Sequence, residues 1–175
     1  MALATVSIAE SNSTTPTVTA AITNSNMGSS DTVNMTISTS TAITAGNNSF
    51  EKWQRFNVSA MGDSTSIKNL KVWASAALNT YATHKTNTRE TAYAGAQTFD
   101  TVNAPLATDR SATYGYTQTM PVLEPTTASL GIGGSLTGER TTTGYSDYLV
   151  MQIQTTSYAT AGKTITMNYQ YDEYQ

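Results

Sequence analysis

The chain has 175 residues, a formal net charge of −3, 12 % charged side chains and no cysteine. The nine basic residues are scattered, so the sequence offers no basic stripe for nucleic acid or for a membrane surface. The lack of cysteine excludes disulfides, zinc–cysteine sites and a cysteine nucleophile.

Threonine and serine replace the missing charged residues, with 34 Thr and 18 Ser. Threonine is β-branched and favours extended strands over helices. A disordered, mucin-like stalk has a similar composition. Stalks lack regular apolar alternation, however, and this chain has such alternation together with 10 Tyr, 3 Phe and 2 Trp residues that can organise a core. The composition therefore predicts a folded, β-rich protein.

The first predicted strands alternate apolar and polar residues at 2–8, 18–22 and 33–37. Turns rich in Asn, Gly and Ser separate them. The start of the chain has neither the basic region nor the long apolar region of a signal peptide, and no segment reaches the roughly 20 apolar residues of a membrane helix. We therefore expect synthesis in a cytoplasm and no membrane partner.

The clearest strand pattern lies at 50–60, where Phe50, Trp53 and Phe56 recur in steps of three. Steps of three break the two-residue period of a strand, and a bulge or a change of sheet would absorb them. Apolar alternation at 67–74 predicts the next strand, paired with the preceding one as a hairpin.

A long polar stretch at about 76–120 is predicted to be irregular and rich in loops. Short strands are expected within it near 98–102 and 114–119. It contains His84, the single histidine of the chain, which its polar neighbours place on a solvated surface loop. Long loops in a compact domain are often functional.

The C-terminal part alternates regularly at 145–153 and again at 165–171, which predicts a second antiparallel hairpin with one buried face. Together these patterns predict seven to nine strands and no helix. The expected fold is all-β, an antiparallel two-sheet sandwich of jelly-roll or immunoglobulin-like type, formed by 1–175 as a single domain.

No grouping of residues carries a catalytic signature. His84 has no carboxylate pattern around it that would suit a Ser–His–Asp system. The glycine-rich run at 131–134 is not followed by a helix start, so it does not suit a phosphate loop. The acidic residues are mostly isolated, which leaves only a hydrolase with widely separated carboxylates as a remote option. We expect no enzyme, no catalytic residue, no cofactor and no metal.

Tyrosines in the irregular stretch are the candidate interaction residues. On loops, a tyrosine offers a large rigid surface and one hydrogen-bonding tip for recognition. It serves equally well to cap the open end of a sandwich. The candidates are Tyr81, Tyr93, Tyr114 and Tyr116.

Four runs of sequence resemble β-sandwich virion proteins of tailed bacteriophages. They are the runs at 48–53 (Asn-Ser-Phe-Glu-Lys-Trp), 66–73, 145–152 and 168–174. The likeness extends over about two thirds of the chain; it contains no diagnostic motif and carries over no functional residue.

The resemblance implies a capsid decoration (cement) protein on the phage head, made in the host cytoplasm and binding the major capsid protein or other virion proteins. It also implies a homo-oligomer, with trimers the known form in many such proteins. Tail, head–tail and fibre positions stay open. A carbohydrate-binding or adhesion module is the alternative, with Trp53, Trp73 and the loop tyrosines as its aromatic platform.

Overall fold

Every regular element that the structure describes is a β-strand, as the β-branched composition predicts. The computed structural model describes residues 1–13, 17–90, 118–125, 139–160 and 162–175, with backbone alone for 87–90 and 118. Within these ranges no helix is long and apolar enough to cross a membrane. The strands are β1 (Thr5–Asn12), β2 (Thr17–Thr19), β3 (Lys52–Ala60), β4 (Ser66–Ala74), β5 (Ala82–Glu90), β6 (Gln118–Thr119), β7 (Gly144–Tyr145), β8 (Tyr148–Thr155) and β9 (Met167–Tyr174).

These strands form two antiparallel sheets. The larger sheet has the order β2-β1-β3-β8-β5-β6, with the short β7 also paired to β3. The smaller sheet consists of β4 and β9. The two sheets pack face to face, so the predicted all-β, two-sheet sandwich is confirmed.

The hydrophobic core lies between the two sheets and draws on both of them. Nearly all of its members point inward from alternate positions of their strands, which is the pattern that a sheet with one buried face requires. The fully buried members are Phe56 and Val58 of β3, Ile67, Leu70, Val72 and Ala74 of β4, Leu149 and Met151 of β8, and Met120. Tyr169 and Tyr171 of β9 add aromatic edges to it, with ring centroids 6.1 and 6.4 Å from that of Phe56.

A bulge in β4 keeps its apolar residues on one face. The pairing of β4 with β9 shifts register between Lys68 and Lys71, and Asn69 has a positive φ of 51°. The extra residue places both Ile67 and Leu70 on the core side although they are three positions apart. A local break in the two-residue period is therefore compatible with one continuous strand.

The steps of three around Trp53 have a different explanation from the predicted bulge. The register of β3 against β8 runs without a shift through Trp53, so Trp53 points to the face opposite Phe56. Trp53 is nonetheless fully buried, and its ring meets Tyr148 edge to face at 5.5 Å. Both faces of β3 are buried here, which is why apolar residues occur at odd as well as even positions.

The predicted hairpins are wrong. β3 and β4 lie in different sheets, and so do β8 and β9; β8 pairs instead with β3 and β5, and β9 with β4. Alternation shows which face of a strand is buried, but it carries no information on which strand lies beside it. The chain crosses between the sheets at both places where sequence proximity suggested a direct pair.

The predicted strand at 33–37 is also absent. Asn34 has a positive φ of 51°, and its side-chain oxygen accepts hydrogen bonds from the backbone N–H groups of Thr23 (2.6 Å) and Asn24 (3.3 Å). Met35 is buried without belonging to a strand. Local bonding by the asparagine side chain thus replaces a strand ladder here.

The stretch at 76–120 contains a regular element that the sequence did not predict. β5 runs for nine residues from Ala82 to Glu90 and pairs along nearly its whole length with β8. β6 falls at the end of the strand predicted at 114–119. The strand predicted at 98–102 lies outside the described residues.

Candidate binding site between the sheets

His84 lies on the inward face of the larger sheet. Within β5, Ala82, His84 and Thr86 occupy alternate positions, and His84 pairs with Ile153 of β8. Only 5 % of His84 is exposed. The prediction of a surface-loop histidine is therefore wrong: its polar neighbours Thr83 and Lys85 point to the other face of the sheet, and they hid the buried alternation.

A cavity of about 800 Å³ opens beside His84, between the larger sheet and β9. We call it the His84 cavity. Its walls combine apolar and polar side chains in similar number, and they come from the strands and from the segments between β2 and β3, between β4 and β5, and between β8 and β9. The apolar members include Ile8, Ile22, Met27, Ile43, Leu78, Ala82, Ile153, Ile165 and Met167, and the polar members include Asn24, Asn26, Asn79, Thr155, Thr160 and Lys163. His84 also borders a smaller cavity of about 200 Å³ next to Met120.

Neither ring nitrogen of His84 has a hydrogen-bond partner among the described residues, and both are buried. Burial lowers the pKa of His84 from 6.5 to about 4, because the charged imidazolium would lose its hydration. The ring is therefore neutral at pH 7 and presents one N–H donor and one bare nitrogen acceptor. Protein atoms cover both nitrogens, and a buried polar group without a partner lowers the stability of the fold.

A hydrogen-bonded wall closes another side of the cavity. The Tyr169 hydroxyl lies 2.9 Å from the Ser25 hydroxyl and donates to the side-chain oxygen of Gln54 at 2.5 Å. Burial raises the pKa of Tyr169, so it stays a neutral phenol. Tyr169 and Ser25 already have partners, so among the described residues that line this cavity His84 is the one with buried side-chain nitrogens that lack a partner.

A buried ion pair continues from this wall along the inward face. The Lys52 ammonium donates to the Glu10 carboxylate at 2.6 Å, and 1 % and 0 % of the two side chains are exposed. Lys52 also donates to the carbonyl of Thr32 (2.6 Å). The Glu10 carboxylate accepts further bonds from Gln54 (2.9 Å) and Asn12 (3.0 Å). The sequence contained one signal for this network, since Glu10 follows Val6 and Ile8 at alternate positions.

Of the four candidate tyrosines, the structure places only Tyr81. Tyr81 is 44 % exposed and packs against Tyr158, which is 74 % exposed, with 5.9 Å between ring centroids. Tyr93, Tyr114 and Tyr116 lie outside the described residues. Trp53 is buried and cannot serve as a binding platform, which removes one member of the platform that the alternative required.

The chemistry available at the His84 cavity is binding by apolar contact and one or two hydrogen bonds. No cluster of three or more His, Asp or Glu side chains suited to a metal occurs in the part of the chain that the structure describes. In the same part, no carboxylate is bonded to His84. No family model, curated protein or solved structure matches this chain.

Proposed function

We propose that the chain is a structural protein of a tailed-phage virion that decorates the assembled capsid and stabilises it. The observation that carries the proposal is the edge of β9 that no described strand covers. The resemblance of four sequence runs to virion sandwich proteins supports it.

One edge of β9 pairs with β4, and none of the described strands pairs with its other edge. The strand is eight residues long, and Tyr169 and Tyr171 anchor it to the core. From Met167 to Tyr171 it contains neither a charged residue nor proline, the usual means of blocking an exposed edge. Such an edge accepts an added strand from another chain through main-chain hydrogen bonds.

The proposed occupant is an extended segment of the major capsid protein. Strand addition gives affinity through the backbone, and the outward Asn168 and Gln170 beside the edge offer amides for side-chain contacts. A homo-oligomer, such as a trimer, would present several copies of this edge and gain avidity on a symmetric shell. Light scattering on the purified chain measures its oligomeric state.

The test mixes the purified chain with undecorated, expanded capsids of the major capsid protein encoded nearest to it. We expect saturable co-sedimentation and a higher temperature of capsid rupture by calorimetry. The double variant N168K/Q170K, which places two charges beside the β9 edge, should weaken binding at least tenfold. The matched control S59K/A60K adds the same charge at two exposed positions of β3 and should bind like the parent.

Absence of both co-sedimentation and heat protection would overturn the decoration proposal. Equal weakening by both double variants would show that net charge, and not the β9 edge, controls binding. Normal binding by N168K/Q170K would show that the capsid contact lies on another surface of the protein.

The exposed pair of Tyr81 and Tyr158 favours a second candidate, a carbohydrate-binding or tail-fibre adhesion module. Two neighbouring aromatic rings at the surface can stack on the apolar faces of sugars. A glycan array tests it: binding that disappears in Y81A/Y158A supports adhesion, and an array without signal for the parent chain excludes glycan binding for the sugars displayed.

A further inference from the structure

We propose that the side chains of Lys52 and Asn12 join after folding in an amide bond between Lys52 Nζ and Asn12 Cγ, with Glu10 carrying the protons. The cross-link ties β1 to β3 within the larger sheet. Three observations support it: both reacting groups contact one oxygen of Glu10, all three side chains are buried, and the β1–β3 ladder fixes their register. It is independent of the β9 edge and of the proposed capsid contact.

The pairing of β1 with β3 places Asn12 opposite Lys52. The ladder ends with Ser11 paired to Trp53, and its next step brings Asn12 to Lys52. Residues that face each other in an antiparallel pair have Cβ atoms about 4.5–5.5 Å apart on the same side of the sheet. A lysine side chain is long enough to span this distance, so the amide can form without a change of register.

One oxygen of the Glu10 carboxylate contacts both reactants. Glu10 Oε1 accepts hydrogen bonds from Lys52 Nζ at 2.6 Å and from Asn12 Nδ2 at 3.0 Å. Nζ is the nucleophile and Nδ2 is the leaving nitrogen, so a proton on Oε1 lies within reach of both. Groups that a fold holds together in this way react far faster than the same groups free in water.

Burial favours the neutral groups that the reaction needs. Lys52, Glu10 and Asn12 are all buried, and transfer of a proton from the ammonium to the carboxylate removes both charges from a site with little water. The protonated Glu10 is a hydrogen-bond donor. Asn12 Oδ1 is buried without a partner among the described residues, and a half-turn of the amide group brings it to this donor, which polarises the carbonyl for attack.

The reaction exchanges one C–N bond for another. Lys52 gives one proton to Glu10, and the neutral amine attacks Cγ of Asn12. The Nζ–Cγ bond forms, the Cγ–Nδ2 bond breaks, and a second proton from Nζ passes through Glu10 to Nδ2, which leaves as ammonia. The products are an amide, a protonated Glu10 and one ammonia, and the balance requires no oxidant or co-reactant. The ion pair of Lys52 and Glu10 is the state from which the bond forms.

The test is the intact mass of the purified full chain, measured under denaturing conditions after incubation at pH 7. We expect a mass about 17 Da below that of the sequence, which is the loss of one ammonia. Digestion and tandem mass spectrometry should then yield a branched peptide that joins the segment around Asn12 to the segment around Lys52. An unchanged mass, or a mass loss without the branched peptide, overturns the proposal.

Two variants separate the cross-link from ring closure at Asn12, which also releases ammonia but leaves the two segments unlinked. Lys52→Arg keeps a cation beside Glu10 and removes the amine, so the mass loss should disappear; a mass loss that persists indicates ring closure and contradicts the proposal. The matched control Lys68→Arg changes an exposed lysine that also lies 3.0 Å from a carboxylate, and it should keep the cross-link. The branched peptide of the parent chain decides the proposal even if Lys52→Arg does not fold.

Discussion

Lys52 and Glu10 are oppositely charged residues buried together on the inward face of the larger sheet. Each charged group loses most of its hydration there. The charged form of each side chain is therefore stabilised by the opposite charge and by the surrounding hydrogen bonds. Lys52→Met would leave the Glu10 carboxylate buried without a cation. We expect a loss of about 3–5 kcal/mol in the free energy of unfolding, measured by urea denaturation.

The control is the double variant E10Q/K52M, which removes both charges and keeps an amide that can bond to the side chains of Asn12 and Gln54. It should be more stable than K52M alone by at least about 1 kcal/mol, because no uncompensated charge remains. Equal stability of the two variants would locate the loss in packing and not in the orphaned carboxylate.

His84 makes stability depend on pH in a predictable direction. Its pKa is about 4 in the folded chain and 6.5 in the unfolded chain, so only the unfolded chain takes up the proton between these values. The contribution of His84 to the free energy of unfolding is fully present above pH 6.5 and decreases as the pH drops toward 4. The total decrease is about 3 kcal/mol. Tyr169, on the same cavity, has a raised pKa and stays neutral throughout.

Urea denaturation at pH 7, 5.5 and 4.5 measures this effect, with His84→Phe as the comparison. The parent should lose more stability than the variant over this range, since carboxylate titration is common to both. Parallel pH profiles would mean that His84 is hydrated in the folded protein and that the His84 cavity is wet.

At the scale of elements, the turn between β3 and β4 fixes the start of the chain. Gly62 has a φ of 59°, and a Cβ there would lie 2.3 Å from the carbonyl oxygen of Ala2. The neighbouring Asp63 exchanges hydrogen bonds with Ala2, at 2.9 Å through its backbone and 2.6 Å through its carboxylate. The turn and the N-terminal residues therefore pack as one unit.

Gly62→Ala should destabilise the chain by about 1–3 kcal/mol, because it adds backbone strain and a clash with the N-terminal segment. Thermal unfolding measures the loss. The matched control is Gly162→Ala, whose Cβ would meet nothing within 4 Å and which should change stability by less than about 0.5 kcal/mol. Similar losses at both sites would show that the N-terminal contact is weak.

At the scale of the whole molecule, the ladders join distant parts of the chain. β1 pairs with β3, β5 with β8, and β4 with β9, the last two pairs joining strands more than 50 residues apart. Each pairing is non-local, so the loop-closure cost must be met before the ladder forms. A fold of this kind depends on the whole sandwich forming together.

Much of the fold could be predicted from local pattern. Threonine content and apolar alternation indicated an all-β sandwich, and the inward faces of β4 and β9 are those that the alternation predicts. The strand predicted at 33–37 does not form, because the Asn34 side chain bonds to the nearby backbone instead. Tertiary packing decides between these two local structures. The candidate site was missed because the threonines around His84 suit a loop and a strand equally.

The sequence by itself determined the class of fold, the lack of cysteine chemistry and the faces of several strands, because these follow from residue type and a two-residue period. Only the tertiary structure decided which strands pair, that His84 lies beside a cavity, and that Glu10 meets Lys52. Those facts depend on which distant segments come together. That is a property of the whole core, and neighbouring residues in the sequence do not encode it.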